Sequence, residues 1–316
     1  MTDLRWVAVP AALGGLAATA LLAPESASWL CILGAVLVGV PHGAMDLDLV
    51  ALWSPERRSG QRLRRAGAYL AAVAALALGW WWFPVASLLV FLAVAVLHFG
   101  DSDLQGLGLV GLRRTALATT RGLAMVGMAL FADLEVSGEL MATMVRQSPP
   151  DLSAYVGMGR ALTLVLGVLH GSLALGLWPR DARPGQVAAE TTLLVVLALV
   201  AGPLVGFSAY FVGWHSSTHL SATWARLRET AAPQRRRALR TSVLTSALGL
   251  AMSVTFSWVW AQGVPEDGVV AAVAGALVLV ACLTVPHAAV VWLTERCAYQ
   301  SASSSSASMP ASTRAR

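Results

Sequence analysis

Between Ala66 and Gly100 the chain carries no Asp, Glu, Lys or Arg, and His98 is the one residue there that titrates near neutral pH. A helix needs about 20 mostly apolar residues to cross the hydrocarbon core of a bilayer. This run is long enough for two crossings, and Phe83-Pro84 divides it, because proline removes a helix donor and clashes with the preceding turn. Composition extends the point to the whole chain: 57% of the 316 residues are hydrophobic, 12% are charged, and the mean hydropathy is +0.66. A soluble globular domain carries about 25% charged residues, so soluble enzymes, nucleic-acid binders and secreted disulfide scaffolds are excluded. The expected fold is all-α: a polytopic membrane bundle of about 8–10 transmembrane helices. It forms one domain over residues 1–300, followed by a disordered Ser-rich tail over 301–316.

Breaks at Pro, Gly and charge clusters place spans near 6–23, 28–52, 66–82, 84–100, 116–133, 157–178, 187–201, 203–222, 241–262 and 268–293. Gly202-Pro203 makes the second internal division. The first segment superficially resembles a signal peptide, but spans follow at once, so it reads as a retained helix. All 22 basic residues are Arg, and the net charge is +5. With ten spans and a cytoplasmic N-terminus, 19 of the 22 Arg fall in cytoplasmic segments, as the positive-inside rule requires. If 187–222 were one helix, the Arg-rich stretch 226–240 would fall outside. The expected location is the inner (plasma) membrane, with both termini cytoplasmic. Cys31, Cys282 and Cys297 have no paired spacing, and Cys31 and Cys282 read as packed small hydrophobes.

The chemistry lies in six histidines, His42, His98, His170, His215, His219 and His287, all in or at the ends of predicted spans. An ionisable group at membrane depth is expensive and marks a functional site by default. The topology puts five of them, all but His170, toward the cytoplasmic side, as a shared metal site requires. His215-Ser-Ser-Thr-His219 has i, i+4 spacing, which projects both rings from one helix face. Imidazole suits Fe, Zn, Cu or Ni, so ligand type alone does not choose the metal. His42, His98, His215 and His219 are therefore read as metal ligands. Asp46, four residues after His42, is placed to hold that ring from behind. His287, after Pro286, is open between ligand, support for a ligand and structure. His170 reads as a structural hydrogen-bonding residue. Asp48, Asp101 and Asp103 are expected to be solvated or structural, Arg121 and Arg160 to snorkel to an interface, and Glu190 to mark a span edge. Phe99, Phe207, Tyr210, Phe211 and Trp214 would suit a hydrophobic slot for a polyene, and Trp80, Trp81 and Trp82 an interface anchor.

Four segments carry a family resemblance: Gly39-Val-Pro-His-Gly-Ala-Met-Asp46, His98-Phe-Gly-Asp-Ser-Asp103, Tyr210-Phe-Val-Gly-Trp-His-Ser-Ser-Thr-His-Leu220 and Thr284-Val-Pro-His287. In this order they resemble the Brp/Blh-type bacterial and archaeal β-carotene 15,15′-dioxygenases, over about residues 30 to 295. The resemblance implies a non-haem Fe(II) enzyme that cleaves the central double bond of β-carotene with O₂ to two all-trans-retinal molecules. It implies iron ligands at His42, His98, His215 and His219. Arg121 and Pro203 also resemble family positions. A rhodopsin apoprotein is the natural acceptor of the product, and nucleic acid has no place.

Two rival classes remain at this stage. A membrane iron desaturase or hydroxylase of a lipid needs about eight His in repeated boxes, and one HxxxH pair is present. A polytopic transporter relaying protons through His would expect paired ionisable groups at mid-membrane. A retinal-binding opsin is excluded, because without Lys there is no Schiff base.

Overall fold

The computed structural model describes residues 14, 34, 36–44, 59–105, 107–180, 183–264 and 268–307. Asp46, Asp48, Cys31, the span 6–23, most of the span 28–52 and residues 308–316 lie outside the described residues, as does the side chain of Cys297. Every regular element among the described residues is helical. A helical stretch over 36–44 precedes α1 (Ser59–Trp82), α2 (Pro84–Asp103), α3 (Gly111–Phe131) and α4 (Leu134–Met144). A 3₁₀ turn at Ser153–Tyr155 leads into α5 (Val156–Leu177), and α6 (Pro184–Ala201) follows. Next come α7 (Pro203–Tyr210), a π-helical segment Phe211–Ser216 and α8 (Ser217–Arg228). The chain ends in α9 (Ala232–Ala261) and α10 (Gly268–Ala307).

Among the described residues, five helical units are long and apolar enough to cross a membrane: α2, Ser153–Leu177, α6, α9 and Val270–Thr294 within α10. α3 and α4 pass the same test jointly but are bent by 92° where they meet. α1 lies on the expected span 66–82, and α7 with α8 on 203–222.

Both expected internal divisions are present, and each has a local cause. Pro84 and Pro203 stand at the first positions of α2 and α7, where a missing N–H costs nothing and the fixed φ suits a helix. Gly202 closes α6 with φ 98°, donating its N–H to the Ala198 carbonyl at 3.0 Å. A side chain at that φ would be strained, which is why the break needs glycine. α4 falls where the sequence reading places only a connection between spans. Asp133 starts it, accepting from the backbone N–H groups of Glu135 and Val136 at 3.1 and 3.3 Å, a cap that satisfies otherwise orphaned donors.

α2 and α3 meet backbone to backbone. A methyl group at Gly100 would strike the Ala118 carbonyl, and one at Gly122 the Val96 carbonyl. Without polar solvent to drive helices together, such small-residue contacts let them pack closely. α3 then packs on α5, α5 on α6 and α6 on α7, while α10 lies against α9, α1, α2 and α4. One core cluster joins Ala95, Phe99, Met125, Leu194, Leu197 and Tyr210, from α2, α3, α6 and α7. A second joins Trp80, Leu88, Met144, Trp260, Val278 and Cys282. Trp80 is thus a core residue, 1% exposed, while Trp81 and Trp82 point outward. The Arg146 guanidinium lies over the Trp81 and Trp260 rings at 4.5 and 5.3 Å.

Because the Gly122 contact is to backbone, it has no flexible side chain to yield. Gly122→Val is expected to destabilise the protein by at least about 1–3 kcal/mol, the usual overpacking cost. The thermal unfolding midpoint in detergent, compared with that of Gly157→Val at an open position, measures it.

Candidate metal centre

Five separate elements each deliver one histidine to a common point. His42 comes from the 36–44 stretch, His98 from α2, His215 from the π segment, His219 from α8 and His287 from α10. The ring centre of His42 lies 4.3 Å from that of His219, 4.6 Å from His287 and 5.1 Å from His215. His98 lies 4.9 Å from His287 and 5.2 Å from His215, and His219 lies 5.3 Å from His287. One ring nitrogen from each of His42, His98 and His287 falls within 4.8 Å of the other two. Pro41 and Gly43 flank His42, and a methyl group on Gly43 would only touch the His287 ring, at 4.0 Å. Gly39 does more: a side chain there would run into the Phe211 ring at 2.8 Å. The absence of one lets that ring pack beside His42, at 6.2 Å between centres.

The donor set fits a transition-metal ion. Both ring nitrogens of His98, Nδ1 of His42 and Nε2 of His215 are buried without a hydrogen-bond partner. Each such orphan costs about 1–3 kcal/mol, and native interiors rarely tolerate several together. Neutral imidazole nitrogens with unused lone pairs are the donors that Fe, Zn, Cu or Ni accept.

His215 and His219 do converge, but the local helix is not the plain α-turn that the spacing predicts. The chain is π-helical over Phe211–Ser216 and returns to α-helix at Ser217. Single π turns of this kind occur mostly at functional sites. Here the wider turn sets where His215 leaves the helix.

Behind His215 stands a buried ionic assembly that the sequence reading does not assign to the site. Asp103 Oδ1 lies 3.5 Å from His215 Nδ1, and Ser102 Oγ lies 3.4 Å from the same atom. Asp103 Oδ2 accepts from Arg121 Nε at 2.8 Å and from the Tyr210 hydroxyl at 3.0 Å. Arg121 NH1 donates to Thr191 Oγ1 at 3.0 Å, and the guanidinium lies over the Tyr210 and Trp214 rings at 5.3 and 5.0 Å. A carboxylate facing Nδ1 holds the proton there and leaves the Nε2 lone pair for an ion. One expectation is therefore corrected: Arg121 is fully buried and does not snorkel. Of the two roles open to Asp103, solvated or structural, the buried ion pair is the structural one, its side chain 2% exposed. The physical reason is mutual: each charge supplies the counter-ion the other needs to stay out of water. The one signal in the sequence is Arg121, a charge set inside the apolar span 116–133 that needs a counter-ion there.

The remaining site expectations sort by position. Asp101 pairs with Arg114 at 2.6 Å at the partly exposed end of α2. Glu190, in the first turns of α6, is buried and accepts from Gln186 at 3.0 Å. His170 lies apart from the five, with Nδ1 3.2 Å from Thr120 Oγ1. Phe99, Phe207 and Phe211 form one aromatic group. Phe207 stacks on Phe211 at 5.9 Å, and Phe99 and Phe211 lie 4.7 and 5.8 Å from the His215 ring. Tyr210 and Trp214 face Arg121 from the same segment.

The sequence model of the family described as beta-carotene 15,15′-dioxygenase matches residues 33–294. A protein of Halobacterium salinarum, named probable beta-carotene 15,15′-dioxygenase Blh, is 30% identical, covering 93% of this chain and 91% of its own. A beta-carotene 15,15′-dioxygenase of an uncultured marine bacterium is 28% identical over 202 residues, covering 63% of this chain and 70% of its own. No solved structure matches.

Removing the Asp103 carboxylate leaves Arg121 buried without its counter-ion, a loss of about 3–5 kcal/mol for a pair of this kind. Asp103→Ala is expected to lower the thermal unfolding midpoint sharply. Exchanging both partners for apolar residues, as Asp103→Leu with Arg121→Met, is expected to recover much of it. Recovery in the double variant, measured by unfolding in detergent, separates the charge penalty from simple loss of packing.

Proposed function

Because the chain belongs to the beta-carotene 15,15′-dioxygenase family, we propose that it cleaves the central 15,15′ double bond of β-carotene with O₂, giving two molecules of all-trans-retinal. The observation that carries the reading is the convergence of histidines from five elements on one point, four of the five rings buried. Cleaving an unactivated C=C bond requires an activated form of oxygen and no protein nucleophile. Fe(II), bound by His42, His98, His215 and His219, would supply that activation at the end of an all-imidazole site.

The chain's own residues supply the rest. Asp103, anchored by Arg121 and Tyr210, holds the His215 ring with Nε2 facing inward. Phe99, Phe207 and Phe211 present flat apolar faces beside His215, a surface against which a conjugated polyene stacks. Binding the long substrate rigidly, with its midpoint at the histidines, converts binding energy into position. The burial of His42, His98, His215 and His287 limits the access of water to the site.

The substrate's solubility explains the architecture. β-Carotene dissolves in lipid, and the helices carry outward apolar residues such as Leu89, Val168, Val200, Val254 and Trp258. A bilayer would cover such surfaces, and the Arg distribution supports a reading in which the termini and the histidine end face the cytoplasmic side of the inner membrane. Retinal released there reaches a rhodopsin apoprotein through the same lipid phase.

Expression in a β-carotene-accumulating bacterial host is expected to bleach the orange colour and yield retinal by chromatography. His→Ala at 42, 98, 215 or 219 abolishes both, while the purified parent chain holds about one iron per chain by elemental analysis. Persistent colour with no retinal and no iron would sink the reading, and iron without retinal would mean a different substrate.

A further inference from the structure

Of the histidines not already given to the metal, His287 has the geometry of a donor. Its Nε2 lies 2.9 Å from Nε2 of His42, and with His42 and His98 it forms the group in which one ring nitrogen of each lies within 4.8 Å of the others. His287 is buried, and its ring centre is closer to that of His98 than the ring of His215 is, at 4.9 against 5.2 Å.

We propose that His287 is a fifth ligand of the metal. This rests on the metal reading above and goes beyond the four-histidine set. If His42 gives its Nε2 lone pair to the ion, a proton on His287 Nε2 would point at a nitrogen with nothing left to accept it. The contact is then favourable only if His287 carries its proton on Nδ1 and turns its own lone pair to the same ion. The spacing agrees: neighbouring ligands at right angles, each about 2.0–2.1 Å from an ion as imidazole nitrogens are, stand about 2.9 Å apart. Pro286 supports the position from within α10. It has no N–H for the Cys282 carbonyl, so the helix is weakened by one bond just where the His287 ring must reach into the bundle. Five imidazoles leave one position of an octahedral ion open, enough for O₂ and too few for O₂ and a stable water together.

The test uses the full chain in detergent, stripped with a chelator and titrated anaerobically with Co(II), whose d–d absorption reports coordination number. The unaltered chain is expected to show a weak band of five or more ligands. His287→Gly is expected to bind Co(II) at least about tenfold more weakly, since even residues that only support a ligand are worth 10–100-fold. Its band should intensify toward that of a four-coordinate ion, and free imidazole should restore the parent band. His287→Gln, which can hydrogen-bond but ligates poorly, should behave like His287→Gly. His170→Gly, outside the cluster, should keep the parent band and so controls for loss of fold. A parent band in His287→Gly or His287→Gln overturns the fifth ligand while leaving the metal site standing. An unaltered chain that takes up no Co(II) overturns both.

Discussion

The Asp103–Arg121 ion pair is the constraint on which the rest of the site depends. Both side chains are almost wholly removed from water, and burying two ions costs several kcal/mol each unless they are paired and hydrogen-bonded. The partners that engage them come from different elements: Tyr210 from α7, Thr191 from α6 and His215 from the π segment. The pair therefore ties five helical elements to one geometry, and that geometry ends at the inward-facing nitrogen of His215. The adjacent Gly100 and Gly122 contacts serve the same end, because only bare backbone lets α2 and α3 come close enough for Asp103 to meet Arg121.

A second requirement is that the bundle break its helices at chosen points. Pro84, the Gly202-Pro203 pair and Pro286 each remove backbone hydrogen bonds that a membrane-length helix would otherwise keep. The π turn at Phe211–Ser216 is the subtler device. It leaves the helix continuous but changes its pitch over one turn, so His215 and His219 reach the centre from different directions. His215 sits in the π turn and His287 directly after Pro286, and irregular backbone of this kind is tolerated where it is buried in protein or lines a cavity.

Much of this was legible from the chain alone, and the parts that were not share a cause. Apolar runs and prolines mark the helices and their divisions because desolvation and the missing proline donor act locally. The histidines stand out because an imidazole in an apolar run needs an explanation wherever it ends up. The pairing of Asp103 with Arg121 is hidden in the sequence for the opposite reason. Each sits near a predicted span end, where water would satisfy a charge, and only knowing that they meet reveals that neither needs it. Trp80 differs from Trp81 and Trp82 only by the direction in which the helix turns it. α4 was hidden because its eleven residues are too short to read as a span, although Asp133 announced its start.

By itself the sequence determined that this chain forms apolar helices, where they break, and which side chains cannot rest quietly inside them. Those are consequences of hydration and backbone chemistry, which act residue by residue. Tertiary structure decided that five of the six histidines share one centre, that His287 stands in it beside His42, and that a buried ion pair orients His215. Those are matters of relative position between segments up to 245 residues apart. No local preference encodes such positions; the packing of whole helices does.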